Sequence, residues 1–123
     1  MRRRLVGICV ILLAGVVLSG AANREDFLVK TGEDLVELCE VDDNDPLLTA
    51  ALHFCHGFAV GTYRTLVAAT REDPVVCEPE DPVSRNEAIL MFVEWARANP
   101  AYLSEAPEEL VVRFVLQQWP CPQ

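Results

Sequence analysis

His53, Cys55 and His56 lie close together in the middle of the sequence, and their side chains could do chemistry. In a helix, His53 and His56 are three residues apart and would share a face, so they could converge on a zinc ion. Cys55 could act as a nucleophile if it were a free thiolate. No third metal ligand lies at a suitable spacing, so we predict no metal and no cofactor. We expect His53 at the surface and His56 beside a disulfide.

The elements that position these residues follow an N-terminal leader. Residues 2–4 are arginines, residues 5–18 form an apolar run too short to span a bilayer comfortably, and residues 19–22 are small. This order is typical of a secretory signal peptide. We predict a leader over residues 1–22, cleaved after Ala21 or Ala22, with an uncleaved signal anchor as the alternative. The remainder, 23–123, is then one periplasmic domain without a membrane segment.

Export changes the interpretation of the cysteines. The chain has 5 cysteines, and Cys9 lies in the leader, so four remain. An even number in a short exported domain predicts two disulfides. An oxidised Cys55 cannot be a nucleophile, and no other catalytic motif stands out, so we predict that the protein is not an enzyme.

The charge of the chain limits the partners it can have. The formal net charge is −9, and without the three leader arginines it falls to about −12. Nucleic acids and anionic lipids bind basic surfaces, so both are excluded as predicted partners. A basic protein partner is compatible with this charge, since complementary charge accelerates encounter. A role in solubility alone is the other interpretation.

Periodicity and capping signals predict four helices and an all-α domain. Thr31 caps the first, Ser84 and Glu87 form a capping box at the third, and Pro107 begins the fourth. A brief strand stays open for residues 75–82. The predicted helices cover residues 31–39, 47–69, 84–98 and 107–118.

An acidic turn precedes the second helix and contains Asp42, Asp43 and Asp45. A calcium loop is one interpretation, but the turn lacks the central glycine and the closing glutamate of such a loop. The other interpretation has Asp45 as the N-cap and Pro46 as the first residue of the helix.

The second helix also contains Gly57 and Gly61. Each glycine costs about 1 kcal/mol relative to alanine in a helix. Two on one face therefore suggest that a neighbouring helix, or a second subunit, packs close to the backbone. We predict that this helix is the central element of the domain.

Helix order suggests how the cysteines pair. Cys77 precedes the third helix and Cys121 follows the fourth, and a short link makes these helices antiparallel, which brings both cysteines to one end. Cys39 and Cys55 would form the other disulfide. Four cysteines allow three connectivities, and this is the one we favour.

The same residues carry a resemblance to a known family. Five features of the sequence resemble the Rap/Tai immunity proteins in order and spacing. They are Cys39, the segment 55–61 beginning Cys-His-Gly-Phe, Cys-Glu-Pro at 77–79, Asn-Pro at 99–100 and Trp-Pro-Cys at 119–121. The match runs from about residue 31 to residue 121.

The resemblance implies a small periplasmic all-helical protein with two disulfides, often dimeric. Characterised members block the active-site cleft of cell-wall amidases delivered by type VI secretion, and they have no catalytic residues. Asp42, Asp43 and Asp45 are then candidate contacts with the amidase, and Gly57 and Gly61 are candidate interface residues. The alternative function is a stand-alone periplasmic binding, structural or envelope-stress protein on the same scaffold, without a toxin partner.

Overall fold

The computed structural model describes residues 21–122, so nearly all of the predicted leader lies outside the described residues. Within them the chain forms four α-helices and two short 3₁₀ helices, but no strand, which confirms the all-α prediction. One isolated antiparallel bridge joins Val76 to Pro120. The α-helices are α1 (Gly32–Cys39), α2 (Leu48–Ala69), α3 (Arg85–Ala98) and α4 (Pro107–Gln118), and the 3₁₀ helices are Asp26–Leu28 and Pro100–Tyr102.

Three helices begin as the sequence predicts. The Thr31 hydroxyl accepts a hydrogen bond from the Asp34 backbone N–H, and the Asp34 carboxylate accepts one from the Thr31 N–H. Ser84 and Glu87 form the same reciprocal arrangement at α3. Pro107 is the first residue of α4. These arrangements satisfy backbone donors that lack partners inside the helix.

The start of α2 differs from the prediction. Its N-cap is Leu47, without a side-chain hydrogen bond to the helix, rather than Asp45. Asp45 instead closes the preceding turn, because its Oδ1 accepts from the Leu47 N–H at 2.7 Å. Its Oδ2 accepts from the Ala22 N–H at 3.1 Å. The carboxylate therefore joins the N-terminal segment to the turn, and this long-range use removes it from the cap.

The core is centred on α1 and not, as predicted, on α2. Leu35, Val36 and Leu38 of α1 are fully buried, and α1 packs against each of the other three α-helices. In the 22-residue α2, only Ala51 and Cys55 are buried. The reason is geometric, because a helix about 33 Å long extends past a core of this size.

Aromatic side chains fill the contact between α3 and α4. The rings of Phe92 and Phe114 are 5.5 Å apart, and Trp119 lies 5.5 Å from Phe114 in an edge-to-face arrangement. Such pairs add about 0.5–1.5 kcal/mol beyond the area they bury. On α4, Phe114 is buried, whereas Leu116 is exposed.

The predicted disulfides are confirmed. Cys39 at the end of α1 is bonded to Cys55 in α2, and Cys77 is bonded to Cys121. Two backbone hydrogen bonds flank the second disulfide, from Cys77 N to Trp119 O and from Cys121 N to Val75 O. The open question of a strand in residues 75–82 thus resolves to the single bridge beside this disulfide.

Gly57 and Gly61 do not contact a neighbouring helix of the domain. Both are exposed, and a Cβ atom at either position would have no other atom within 4 Å. Of the two predicted alternatives, packing of a neighbouring helix of the same chain is therefore wrong, and packing of a second subunit stays a prediction. The closely packed glycine is Gly32, where a Cβ would lie 2.7 Å from Leu110 Cδ2 and 3.3 Å from the Leu103 carbonyl oxygen.

Arg97 connects α3 to α1 through three glutamates. Its guanidinium donates to Glu33 at 2.6 Å, to Glu37 at 3.3 Å and to Glu40. Partial burial raises the pKa of Glu37, and the neighbouring Glu33 raises it further, whereas the charge of Arg97 opposes the rise. One oxygen of Glu37 is buried without a hydrogen-bond partner. Arg97 is thus the counter-charge for two acidic groups on α1 and for a third at its C-cap.

We predict opposite effects of alanine at two helical glycines. Gly32→Ala should lower the free energy of unfolding by about 1–2 kcal/mol, because the fully buried Leu110 must move to admit the methyl group. Gly57→Ala is the matched control and should raise the free energy of unfolding of the monomer by up to about 1 kcal/mol, since the site is open within one chain and alanine favours the helix. Urea denaturation measures both, and a gain in stability from both variants would contradict this packing.

We predict that Arg97→Gln makes stability more sensitive to pH. Because the pKa of Glu37 is raised in the folded state, protonation of Glu37 stabilises the fold. This stabilisation is fully present below pH 4.5, the ordinary pKa of the group, and it is lost as the pH rises through the pKa of the folded state. Removing Arg97 raises that pKa further, so the variant should lose about 1 kcal/mol at pH 7 and less at pH 4. Thermal unfolding at both pH values measures the difference. Arg113→Gln, which breaks an exposed pair with Glu105, should show a smaller pH dependence, and equal profiles would overturn this role of Arg97.

Candidate functional site

The residues that first suggested chemistry do not form a reactive centre. His53 is exposed, His56 is partly buried, and the Cys55 sulfur is in a disulfide. Burial lowers the pKa of His56, and electrostatic interactions with Arg85 and His53 lower it further. Between residues 21 and 122, no group of three or more His, Cys, Asp or Glu residues is placed to hold a metal ion.

The two histidines line one end of a groove between α2 and α3. This part of the groove has a volume of about 440 Å³, and Leu52 and Leu90 form much of its apolar surface. Leu90 is 65% exposed. The groove exists because α2 and α3 each pack against α1 and α4 but make little contact with each other.

The acidic turn divides into exposed and structural residues. Asp42 and Asp43 are exposed. The Asp42 carboxylate accepts hydrogen bonds from the backbone and side-chain amides of Asn44, which lower its pKa. Asp45 is partly buried and holds the N-terminal segment. Of the three predicted contact residues, Asp42 and Asp43 are therefore the ones whose charge faces solvent.

The exposed glycines lie on a separate part of α2. Gly57 is nine residues beyond the start of α2, which corresponds to about 14 Å along the helix axis. Ala50, Thr65 and Ala68 are also exposed on α2, so small side chains make up much of its solvent face. The acidic turn and the glycine face, Gly57 and Gly61, are thus two patches rather than one.

A second cavity, which the sequence did not reveal, lies between α2, α3, α4 and the connection 75–84. Its volume is about 450 Å³, within the 300–1,000 Å³ range of small-molecule sites. We call it the α2–α3 cavity, and its apolar lining comprises Ala59, Val60, Tyr63, Pro79, Pro82, Val83, Ala88, Ile89, Phe92, Val111, Phe114, Val115 and Trp119.

Two arginines line the α2–α3 cavity. Arg64 and Arg85 are both exposed, so they lie on its solvent side, together with the carboxylate of Glu78. In the described part of the chain, Arg97 and Arg113 form ion pairs, whereas Arg64 and Arg85 form none. The scarcity of cations in such an acidic chain is the sequence signal that could have drawn attention to these two positions.

Comparisons with known proteins support an assignment to a family. Residues 31–121 match the family described as Rap1a immunity proteins. No curated protein and no solved structure matches the chain. Among the helices of residues 21–122, none has the length and apolar character needed to cross a membrane. The matched region contains all four α-helices and all four disulfide-bonded cysteines.

Proposed function

Because the chain belongs to the Rap1a immunity protein family, we propose that it is a periplasmic immunity protein that neutralises a secreted peptidoglycan amidase by blocking its active-site cleft. The family match over residues 31–121 carries this proposal. Two disulfides support the compartment, since they form and persist where conditions are oxidising. Blocking a cleft requires shape and charge rather than catalysis, so the proposed function includes no catalytic residue.

The acidic turn is the proposed contact with the amidase. Asp42 and Asp43 place two exposed carboxylates side by side, and an exposed charge pair can steer a basic partner during encounter. The Cys39–Cys55 disulfide begins three residues before Asp42 and fixes the chain there. A loop held in one conformation loses less entropy on binding.

The glycine face is the proposed site of self-association. Gly57 and Gly61 leave the backbone of α2 uncovered, although each glycine weakens the helix by about 1 kcal/mol. A second copy packed against this face would bring two helix backbones close together. The same face on both copies is the arrangement that a twofold dimer requires.

The Ala22 contact favours one of the two predicted cleavage sites. Ala22 is buried, and its backbone nitrogen lies 3.1 Å from Asp45 Oδ2. Cleavage after Ala21 would leave this nitrogen as a charged ammonium group paired with Asp45. Cleavage after Ala22 would remove both the buried methyl group and the contact. The hydrogen bond from the Asn23 nitrogen to Asp26, at 2.7 Å, is available in either product. We therefore propose that the cut follows Ala21.

A second candidate function is a stand-alone periplasmic binding or envelope-stress protein without a toxin partner. The α2–α3 cavity favours it, because occlusion of an enzyme cleft requires no internal ligand site. An isolated gene and pull-downs that recover no hydrolase would support this function over immunity.

The proposed immunity function predicts rescue and a measurable complex. Co-expression in the periplasm with an amidase encoded beside the gene should restore growth, and the two purified proteins should bind with nanomolar affinity. Asp42→Ala with Asp43→Ala should weaken binding about tenfold, with slower association and a smaller salt dependence. Surface plasmon resonance at two ionic strengths measures this.

Matched variants test the acidic turn and the glycine face separately. Glu80→Ala with Asp81→Ala removes two exposed charges elsewhere and should leave amidase binding unchanged. Gly57→Leu and Gly61→Leu should keep the fold but reduce the mass measured by sedimentation from dimer to monomer. Failure of rescue would overturn the proposed function, and a monomeric wild-type protein would overturn the role of the glycine face alone.

The position of the cut predicts the mass of the mature protein. Export of the full-length chain in a Gram-negative host should yield a protein that begins at Ala22. A version beginning at Asn23 should be about 1 kcal/mol less stable, since it lacks the buried methyl group and the Asp45 pair. Intact mass spectrometry distinguishes the two products by one alanine residue. Retention of residues 1–20 would contradict the predicted leader, whereas a start at Asn23 would contradict only the proposed cleavage site after Ala21.

A further inference from the structure

The geometry points to the α2–α3 cavity as a binding site for a single anionic amphiphile, that is, a molecule with one apolar tail and one negatively charged head group. The lining of the cavity is largely apolar. Besides buried side chains such as Phe92 and Phe114, the lining includes Val60, Val83 and Trp119, which are partly exposed to water. A surface of this kind gains free energy when an apolar chain displaces water from it.

The solvent side of the cavity carries two positive charges and one negative charge, the carboxylate of Glu78. Arg64 on α2 and Arg85 at the start of α3 both line the cavity. Guanidinium groups bind carboxylates and phosphates through charge-assisted hydrogen bonds, and neither arginine is used in an ion pair of the described residues. An apolar tail in the cavity would place its head group beside these two side chains.

The walls of the cavity are held in place by covalent and backbone bonds. Cys77 is one of the lining residues, and its disulfide to Cys121 fixes the connection 75–84 to the end of α4. The Cys77 N–H also donates to the carbonyl of Trp119, another lining residue. A preformed site reduces the entropy lost when a ligand binds.

The overall charge of the protein distinguishes a free amphiphile from a bilayer. The chain has a formal net charge of −9, which repels an anionic membrane surface. Two arginines beside a recessed apolar cavity can hold one anionic head group, but they do not form the basic face that membrane association requires. The occupant is therefore a monomeric amphiphile. This site is independent of any immunity function.

Isothermal titration with decanoate below its micelle concentration tests the site on the complete exported protein. Decanoate should bind at one site per chain, and decanol, which has the same tail without the charge, should bind about tenfold more weakly. Decyltrimethylammonium, with a positive head, should bind no better than decanol. Tryptophan emission should change with the same binding curve, because Trp119 lines the cavity.

Variants assign the binding to the cavity. Arg64→Gln and Arg85→Gln should each weaken decanoate binding about fivefold without changing decanol binding. Arg71→Gln, which removes an exposed cation outside the cavity, is the matched control and should have no effect. Ala59→Phe should fill part of the cavity and weaken both ligands at least tenfold while the circular dichroism spectrum stays unchanged.

Several outcomes would overturn the site. These are the absence of decanoate binding, equal affinities for decanoate and decyltrimethylammonium, or equal effects of Arg71→Gln and Arg85→Gln. If Ala59→Phe fails to fold, the arginine variants still decide the result. Flotation with phosphatidylglycerol vesicles should recover no protein. Flotation that depends on Arg64 and Arg85 would instead show that the site binds a membrane surface and not a free amphiphile.

Discussion

The burial of α1 is the constraint on which the rest of the structure depends. Leu35, Val36 and Leu38 have no exposed surface, although the helix is only 8 residues long. An isolated helix of this length is unstable in water, so α1 forms because the other helices enclose it. Its capping box, the Cys39–Cys55 disulfide and the contact of Gly32 with Leu110 all fix the position of this short element.

The central position of α1 explains why α2 and α3 diverge. Both helices pack on α1 and α4, which occupy the space where they would otherwise meet. The resulting groove exposes Leu90 at one end and encloses the α2–α3 cavity at the other. Both recesses are therefore a direct result of how the core is enclosed.

Local signals in the sequence predicted the local structure well. Ser84 with Glu87, Thr31 and Pro107 each begin a helix through contacts within a few residues, and the helix order constrained the disulfides. Packing between distant segments was not predictable in the same way. Asp45 makes a contact with Ala22 instead of the expected cap. Gly57 is open within the chain, and Gly32, which no sequence pattern singled out, is closely packed. Glycine spacing shows where a backbone could be approached closely, but only the three-dimensional arrangement shows whether anything approaches it.

The candidate site shows the same difference between local signals and long-range packing. Asp42 and Asp43 could be proposed from sequence because their charge is a local property. Arg64 and Arg85 are 21 positions apart in the sequence and line one cavity only because α2 and α3 diverge around α4. No periodicity links two such positions, since the turn between them determines their separation.

The disulfide between Cys77 and Cys121 links the shape of the cavity to the redox state of its surroundings. It closes a separation of 44 residues, and the chain-entropy treatment gives such a crosslink about 4 kcal/mol of stabilisation. Before oxidation, the connection 75–84 is held to α4 mainly by the backbone contacts at Val75–Cys77. A newly made chain in a reducing compartment would therefore lack one fixed wall of the cavity. The disulfide would form only in an oxidising environment, and its formation there would complete the fixed wall of the cavity.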